Sequence, residues 1–396
     1  MKDHLDDHFR AVPRFPGVHH FPNGVTALKY ITAREHNVIL RYLAPLICGL
    51  NPDMEELLLP ALRHLACVLL LARLDVHTDN TLAILDEHVR KFGVACEKIC
   101  NANIGMDFNF LKYHSVMKHL SHHIRSKGSI NNSSTDLGEA LHPQTKVDWR
   151  KTNHQPGSAE DQMLRKARER DVVMHIRDRI DEAEDEAVDD KSDNKRVSPV
   201  SGRIKLGSPQ RALHVSAYAT ELNREFQAQY GGFRGELLKF LQQRVNRHLQ
   251  MKQIVACQIV PYRSVRVVYT CQVSATDESD LIHVAPSWRK KGPRYDYVMI
   301  QGSRPNKPTF AQIDAMFSLN VQGTVYQIGI VRTFKSLGRH CLSEYIKLEK
   351  ERDYTFIFLD SVIRAAQILP PTVFYPRSTV QDLVDGDMYL RLISTA

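Results

Sequence analysis

The chain has 396 residues, of which 43% are hydrophobic and 25% charged, so it has room for two or three domains with a sizeable core and is neither fibrous nor wholly disordered. Its longest apolar run, Leu57 to Leu71, contains Arg63 and His64 and is too short to span a bilayer, and the N-terminus lacks the apolar core of a signal peptide. We therefore expect no membrane insertion and no secretion. Seven irregularly spaced cysteines predict reduced thiols, which fits a nuclear or cytoplasmic location.

The formal net charge of +8 is unevenly distributed along the chain. Residues 1–176 hold 22 Lys/Arg and 20 Asp/Glu, residues 177–194 hold 3 and 9, and residues 195–396 hold 28 and 16. The last segment therefore carries +12 and would attract a polyanion such as DNA, although proteins that bind no nucleic acid can carry a similar excess.

Helical signals dominate the first half of the chain. Thr32 and Glu35 have the spacing of a capping box, and Pro52 follows Asn51 as a proline at the first helical position would. Pro45 and Pro60 are expected to kink or interrupt their helices. We predict helices at residues 33–48, 52–73, 79–99, 108–124, 159–186, 219–230 and 236–248. Residues 1–183 then form an N-terminal helical region.

The second half changes from a helical to an alternating pattern. Residues 184–212 combine acidic residues with two Ser-Pro pairs and few bulky apolar side chains, which predicts a disordered acidic linker. Within residues 213–396, Val265, Val267 and Tyr269 alternate with polar residues as in a half-buried strand. Further strands are predicted at residues 295–301, 309–317, 324–332, 345–348, 354–359 and 388–392. The fold class is therefore α+β, with a small antiparallel β-barrel or sandwich and flanking helices.

Clustered histidines and cysteines raise the question of a metal site. His119 and His123 are four residues apart and share a helix face, with His114 and His122 nearby, but no further ligand stands at a diagnostic spacing. Cys96 and Cys100 are one helical turn apart on an apolar helix, where core packing is the commoner role. We therefore predict no metal site and interpret the histidines as solvated or capping residues.

A basic turn follows Trp288 and contains Arg289, Lys290, Lys291 and Arg294. These four residues are candidate DNA-binding residues because clustered cations contact phosphates. A solvated hairpin and a nuclear import signal are the alternative interpretations.

Several short motifs follow one another along the chain. The central one, at residues 134–146, reads STDLGEALHPQTK. Its neighbours in the series are FPNGV at 21–25, LKYHS at 111–115, RKTN at 150–153 and EDQM at 160–163. This ordered series resembles Plavaka-type transposases of fungal cut-and-paste elements. Residues from about 282 to 392, with RYDYV at 294–298 and DGDMYLR at 385–391, resemble a β-rich domain of unknown function that follows in some members.

The resemblance implies an RNase H-like transposase that cuts DNA at a two-metal carboxylate site. Members of the family carry Glu-Arg-Leu-His where this chain has Glu139, Ala140, Leu141 and His142. Glu139 thus resembles the last acidic metal ligand, with His142 as a neighbouring polar group and Asp136 as a weaker alternative, while Ala140 removes a cation.

The N-terminus bears on whether that site is complete. Residues 2–5 resemble a segment that, in the family, lies just after an acidic catalytic motif, so the strands that supply the earlier acids would precede Met1. One carboxylate cannot hold two metal ions. The motif around Glu139 is therefore expected to be a structural helix entrance.

The sequence thus predicts a transposase-derived protein or fragment without independent strand cleavage and without a cofactor. Any retained role would be DNA or protein binding, in the nucleus or cytoplasm. One alternative is an active Mg²⁺-dependent endonuclease completed by another transposase chain. A further alternative is a protein-interaction module that uses the β-rich domain.

Overall fold

The computed structural model describes residues 2–133, 136–191, 203–288, 292–302 and 308–393, with side chains described in these ranges except at 131, 133, 136–141 and 178–191. The chain divides into two compact units. The first combines Met1–Ser129 with Arg203–Ala396, and the second is Ile130–Gly202. The first unit therefore joins N-terminal helices to the β-rich part of the chain. It holds 41 Lys/Arg and 29 Asp/Glu, a net charge of +12.

Helices make up the N-terminal part of the first unit and most of the described second unit. In chain order within the described residues they are α1 Lys2–Ala11, α2 Ala33–Ile47, α3 Pro52–Ala72, α4 Asp79–Asn101, α5 Leu111–Lys127, α6 Asp136–Arg150, α7 Ser158–Lys191, α8 Val215–Glu225, α9 Phe233–Arg244, α10 Met251–Ala256 and α11 Gly386–Ile393. Helices α6 and α7 lie in the second unit and pack against each other. Short 3₁₀ helices occur at Ile130–Ser133 and Leu359–Ser361.

The starts of the early helices follow their capping signals. The backbone N–H of Glu35 donates to the Thr32 hydroxyl at 3.2 Å, and the backbone N–H of Thr32 donates to the Glu35 carboxylate at 2.8 Å, so the predicted capping box is confirmed. Pro52 is the first residue of α3, as predicted. Helices α2 and α3 continue through Pro45 and Pro60, so the predicted interruptions are wrong. Both helices bury an apolar face, whose packing offsets the one backbone hydrogen bond that each proline removes.

The strands form antiparallel sheets. In chain order within the described residues they are β1 Ile204–Leu206, β2 Leu213–His214, β3 Gln258–Tyr262, β4 Ser264–Thr270, β5 Asp277–Ala285, β6 Arg294–Tyr295, β7 Tyr297–Ile300, β8 Thr309–Val321, β9 Thr324–Arg339, β10 Ile346–Lys350, β11 Thr355–Phe358, β12 Val362–Ala366, β13 Ile368–Leu369 and β14 Ser378–Val380. One sheet has the order β1-β4-β5-β6. The larger sheet has the order β12-β7-β8-β9-β10-β14-β13, with β11 beside β9, β3 beside β8 and β2 beside β3.

The longest strand pair is the hairpin of β8 and β9. Its register runs from Phe310 opposite Phe334 to Val321 opposite Thr324, with one bulge. Gln322 and Gly323 form the two-residue loop with φ of +55° and +88°, as a type I′ turn requires, and glycine tolerates this conformation without strain. Helices α8 and α9 cover this hairpin through a core that includes Tyr218, Phe233 and Phe317. The α+β class with antiparallel sheets in a half-barrel arrangement is therefore confirmed.

Other details of the predicted layout also differ from the structure. Residues 388–392 were expected to form a strand but belong to helix α11, whose first turn is fixed by a 2.8 Å hydrogen bond from the Met388 N–H to the Asp385 carboxylate. A five-residue apolar run with one charge fits a short strand as well as a turn of helix, and the pairing of Arg391 with Asp387 four residues earlier becomes visible only in the folded chain. Within the predicted linker, residues 184–212, α7 extends to Lys191, residues 192–202 lie outside the described residues, and β1 already pairs with β4. The β-rich part therefore begins before residue 213.

Candidate functional site

The residues of the transposase-like motif lie on helix α6 in the second unit. Asp136, the first residue of the helix, Glu139 and His142 follow one another at three-residue spacing and so share one broad side of it. His142 is exposed, whereas the side chains of Asp136 and Glu139 lie outside the described residues. The predicted helix entrance is therefore present, and the catalytic roles of these residues stay predictions.

Of the basic turn, the structure describes Trp288 and the residues from Gly292 onward. Arg289, Lys290 and Lys291 lie outside the described residues, so their contact with DNA stays a prediction. Arg294 donates to both carboxylate oxygens of Asp296 at 2.8 and 3.0 Å, and its guanidinium lies 4.8 Å from the centre of the Trp288 ring. The Arg294 side chain is thus held within the fold.

The densest group of described carboxylates surrounds a buried arginine, Arg364 on β12. Arg364 is 1% exposed and contacts Asp280 on β5 at 3.1 Å, Asp385 at 2.7 Å and Asp387 at 2.7 Å, with the Tyr269 ring 4.5 Å from its guanidinium carbon. Burial raises the pKa of Asp280, although the Arg364 charge opposes that shift. This cluster joins β5, β12 and the start of α11, so its geometry indicates a structural role.

A second buried pair connects the N-terminal helices to the sheet. Arg63 on α3 donates to both oxygens of Asp382 at 2.6 and 2.7 Å, and both side chains are almost fully buried. The Tyr345 ring centre lies 4.3 Å from the Arg63 guanidinium carbon. The sequence showed Arg63 only as a charge inside an apolar run, because its partner lies 319 positions away.

Two imidazoles are buried beside this pair. His64 on α3 and His88 on α4 approach to 3.1 Å through their Nδ1 atoms, and His88 Nε2 lies 2.5 Å from the Tyr389 hydroxyl. Burial lowers the pKa of His64 to about 4 and that of His88 to about 3. Both rings are therefore neutral at pH 7 and belong to the core.

The outer face of α5 is cationic. Residues 108–135 contain four Lys/Arg and four His but no Asp or Glu. The basic and histidine side chains of α5 are all exposed, namely Lys112, His114, Lys118, His119, His122, His123, Arg125 and Lys127. Tyr113, Met117 and Ile124 cover the opposite, packed face. We infer that α5 presents a surface of cations, imidazoles and serines.

The neighbouring helix α4 supplies few counter-charges to this face. Arg125 pairs with Asp79 at 2.7 Å, and Ser121 donates to Asp86 at 3.3 Å. Among the described residues, Lys112 and Lys118 have no ion pair within 4.0 Å. These two lysines are therefore free to contact an external anion.

A second segment without acidic residues begins within α9 and includes α10. Residues 237–276 contain six Lys/Arg and no Asp or Glu. Arg244, Arg247 and Lys252 are exposed in this segment and form no ion pair with another described residue. The sequence predicts a positive excess in the C-terminal half, and the structure places part of it at exposed positions on and between α9 and α10.

The clustered histidines of α5 are exposed, and the cysteines are free. His119 and His123 stack with ring centres 5.8 Å apart, and both are exposed. Within the described residues, no group of three or more His, Cys, Asp or Glu side chains is arranged to hold a metal ion. All seven cysteines are free thiols, and burial raises the pKa of Cys96 to about 11.

Comparison of the chain with protein-family models, with curated proteins and with solved structures gives no match. The resemblance to Plavaka-type transposases therefore stays a prediction. Among the described helices, none combines the length and apolarity needed to cross a bilayer.

Proposed function

We propose that this chain is a transposase-derived nucleic-acid-binding protein that does not cleave strands by itself. The observation that carries the proposal is helix α5, whose charged side chains are all cationic and exposed and alternate with exposed imidazole and hydroxyl groups after the apolar Leu111 at its start. These are the groups that contact phosphate oxygens in protein–DNA complexes. The acid-free segment 237–276 and the net charge of +12 on the first unit support the same partner.

The positions and partners of the carboxylates support binding without cleavage. A two-metal nuclease site needs several acidic oxygens converging on two cations. The described group that comes nearest to this, Asp280, Asp385 and Asp387, is neutralised by Arg364. The transposase-like motif offers Glu139, with Asp136 as a weaker alternative, and so few carboxylates do not hold two Mg²⁺ ions against their hydration shells.

The cleavage part of the proposal is tested by a nicking assay. Supercoiled plasmid incubated with the purified chain and Mg²⁺ or Mn²⁺ should remain as intact as in buffer. Metal-dependent nicking that is lost in Glu139→Ala would instead establish the endonuclease alternative, with the missing acids supplied by another transposase chain.

The binding part is tested by charge reversal on α5. Fluorescence anisotropy with a labelled duplex should show at least about a tenfold loss of affinity for the double variant Lys112→Glu, Lys118→Glu, because two phosphate contacts become repulsive. The matched control is Lys29→Glu, Lys205→Glu, which changes the net charge equally at exposed lysines elsewhere. Equal losses in both variants would contradict a specific role for α5.

Absence of any DNA binding at low salt would favour the protein-interaction module. A DNA partner would place the chain in the nucleus, and the corresponding test is the location of a fluorescent fusion. The other transposase chains remain proposed partners, to be sought by co-purification.

A further inference from the structure

A cleft of about 640 Å³ opens where the end of α4 meets the start of α5. Three aromatic side chains line it, Phe108, Phe110 and Tyr113, together with Met117. The ring centres of Phe108 and Tyr113 are 5.7 Å apart, and those of Phe110 and Tyr113 are 6.0 Å apart. The three rings therefore form one aromatic surface at the N-terminal end of α5.

This aromatic surface is only partly covered. Phe110 is 52% exposed, and the adjacent Leu111 is 85% exposed. The Tyr113 ring packs against the Phe92 ring on α4, with ring centres 6.1 Å apart. An exposed phenylalanine on a fixed aromatic base is unfavourable in water and is typical of a binding surface.

The cleft is lined by charges of both signs. Its lining includes His114 and Lys118 from α5 and also Glu97 from α4 and Asp107 from the connecting loop. A phosphate is attracted to Lys118 and repelled by the two carboxylates. Those carboxylates are suited to accept hydrogen bonds from N–H groups on the edge of a base, such as the N3–H of thymine.

We propose that this aromatic cleft stacks an unpaired base of a single-stranded nucleic acid whose phosphates lie along α5. The inference rests on the proposed nucleic-acid binding and names its substrate class. An aromatic ring beside a basic track is the arrangement by which proteins bind single strands, because every base offers a flat face for stacking. A base paired in a duplex cannot enter the cleft without leaving its stack.

The test compares an oligothymidylate with a duplex of the same length. Phe110→Ala should weaken binding of the single strand about tenfold, the scale of one lost stacking contact, and should change duplex binding less than about twofold. Phe110→Trp should retain single-strand affinity, and its additional tryptophan fluorescence should be quenched by the oligonucleotide. Tyr30→Ala is the matched control, because Tyr30 is 94% exposed on another part of the first unit.

The outcomes separate this inference from the proposed function. If Lys112→Glu, Lys118→Glu weakens binding while Phe110→Ala leaves the single-strand affinity unchanged, α5 binds phosphates and the base-stacking inference is wrong. Equal losses for single strand and duplex in Phe110→Ala would also overturn it. If Phe110→Ala reduces binding of a hydrophobic dye but not of oligothymidylate, the cleft takes an apolar ligand instead.

Discussion

Arginine, lysine and histidine serve opposite purposes in two regions of the first unit. In the core, Arg63 and Arg364 are almost fully buried, and each is matched by carboxylates and aromatic rings. On α5, Lys112 and Lys118 are exposed and have no carboxylate partner among the described residues. The same charge therefore stabilises the fold where it is neutralised and is available to a partner where it is not.

Imidazoles show the same contrast. His64 and His88 are desolvated between α3 and α4, whereas His119 and His123 stand in solvent on α5. A net charge summed over the sequence cannot separate these cases, because it counts the neutralised and the available groups alike. The difference between the two regions leads to three tests on stability and one on binding.

The largest effect is expected at the buried arginine cluster. Arg364→Met should lower the free energy of unfolding by about 3–5 kcal/mol, since Asp280, Asp385 and Asp387 lose their shared cation inside the protein. Urea denaturation measures this change. Arg352→Met, at an exposed position, is the control and should stay within about 0.5 kcal/mol of wild type. A loss below about 1 kcal/mol for Arg364→Met would show that the cluster is not a structural centre.

A smaller effect is expected on acidification. Because the pKa values of His64 and His88 are lowered in the folded state, the unfolded chain binds more protons below about pH 6.5. The free energy of unfolding should therefore fall as the pH drops from about 6.5 toward about 4, with each ring contributing a slope of at most about 1.4 kcal/mol per pH unit.

Variants assign this pH dependence to the buried rings. His88→Gln should flatten the profile measured by urea denaturation between about pH 7 and about pH 5. The double variant His119→Gln, His123→Gln should leave the profile as in wild type, because both imidazoles are exposed. If the pH dependence of the free energy of unfolding is lost in His119→Gln, His123→Gln instead, the α5 histidines are responsible for it, which would contradict the contrast between the two regions.

The smallest effect on stability is expected at the exposed lysines. Lys112→Glu, Lys118→Glu should change the free energy of unfolding by no more than about 0.5 kcal/mol, since neither side chain is packed or ion-paired among the described residues. Thermal or urea unfolding measures this. A large loss would mean that these lysines stabilise the fold, and the loss of nucleic-acid affinity would then need another explanation.

Local signals in the sequence predict most of the long helices but neither α1 nor α10. The capping box at Thr32 and Glu35, the proline that opens α3 and the alternation in β4 all depend on neighbours within a few residues, and all are confirmed. Helix α11 is predicted as a strand because an apolar run of five residues is too short for its period to separate a helix from a strand.

The candidate site was harder to predict for a physical reason. The partners of Arg63 and Arg364 are 319 and 84 positions away, so only the fold shows which cations are neutralised. The acid-free stretch around α5 is visible in the sequence, but its four histidines are interpreted there only as solvated or capping residues. The structure shows that the cations and imidazoles of α5 are all exposed on one helix.

The central claim is that α5 binds nucleic acid through phosphate contacts, and the salt dependence of duplex binding tests it most directly. Each neutralised phosphate contributes about 0.9 to the slope of log affinity against log salt. We expect wild type to show a steep slope and Lys112→Glu, Lys118→Glu to lower it by about 2, the share of two contacts, while Lys29→Glu, Lys205→Glu leaves it nearly unchanged. A slope that is flat in wild type, or that both double variants lower equally, would contradict the claim.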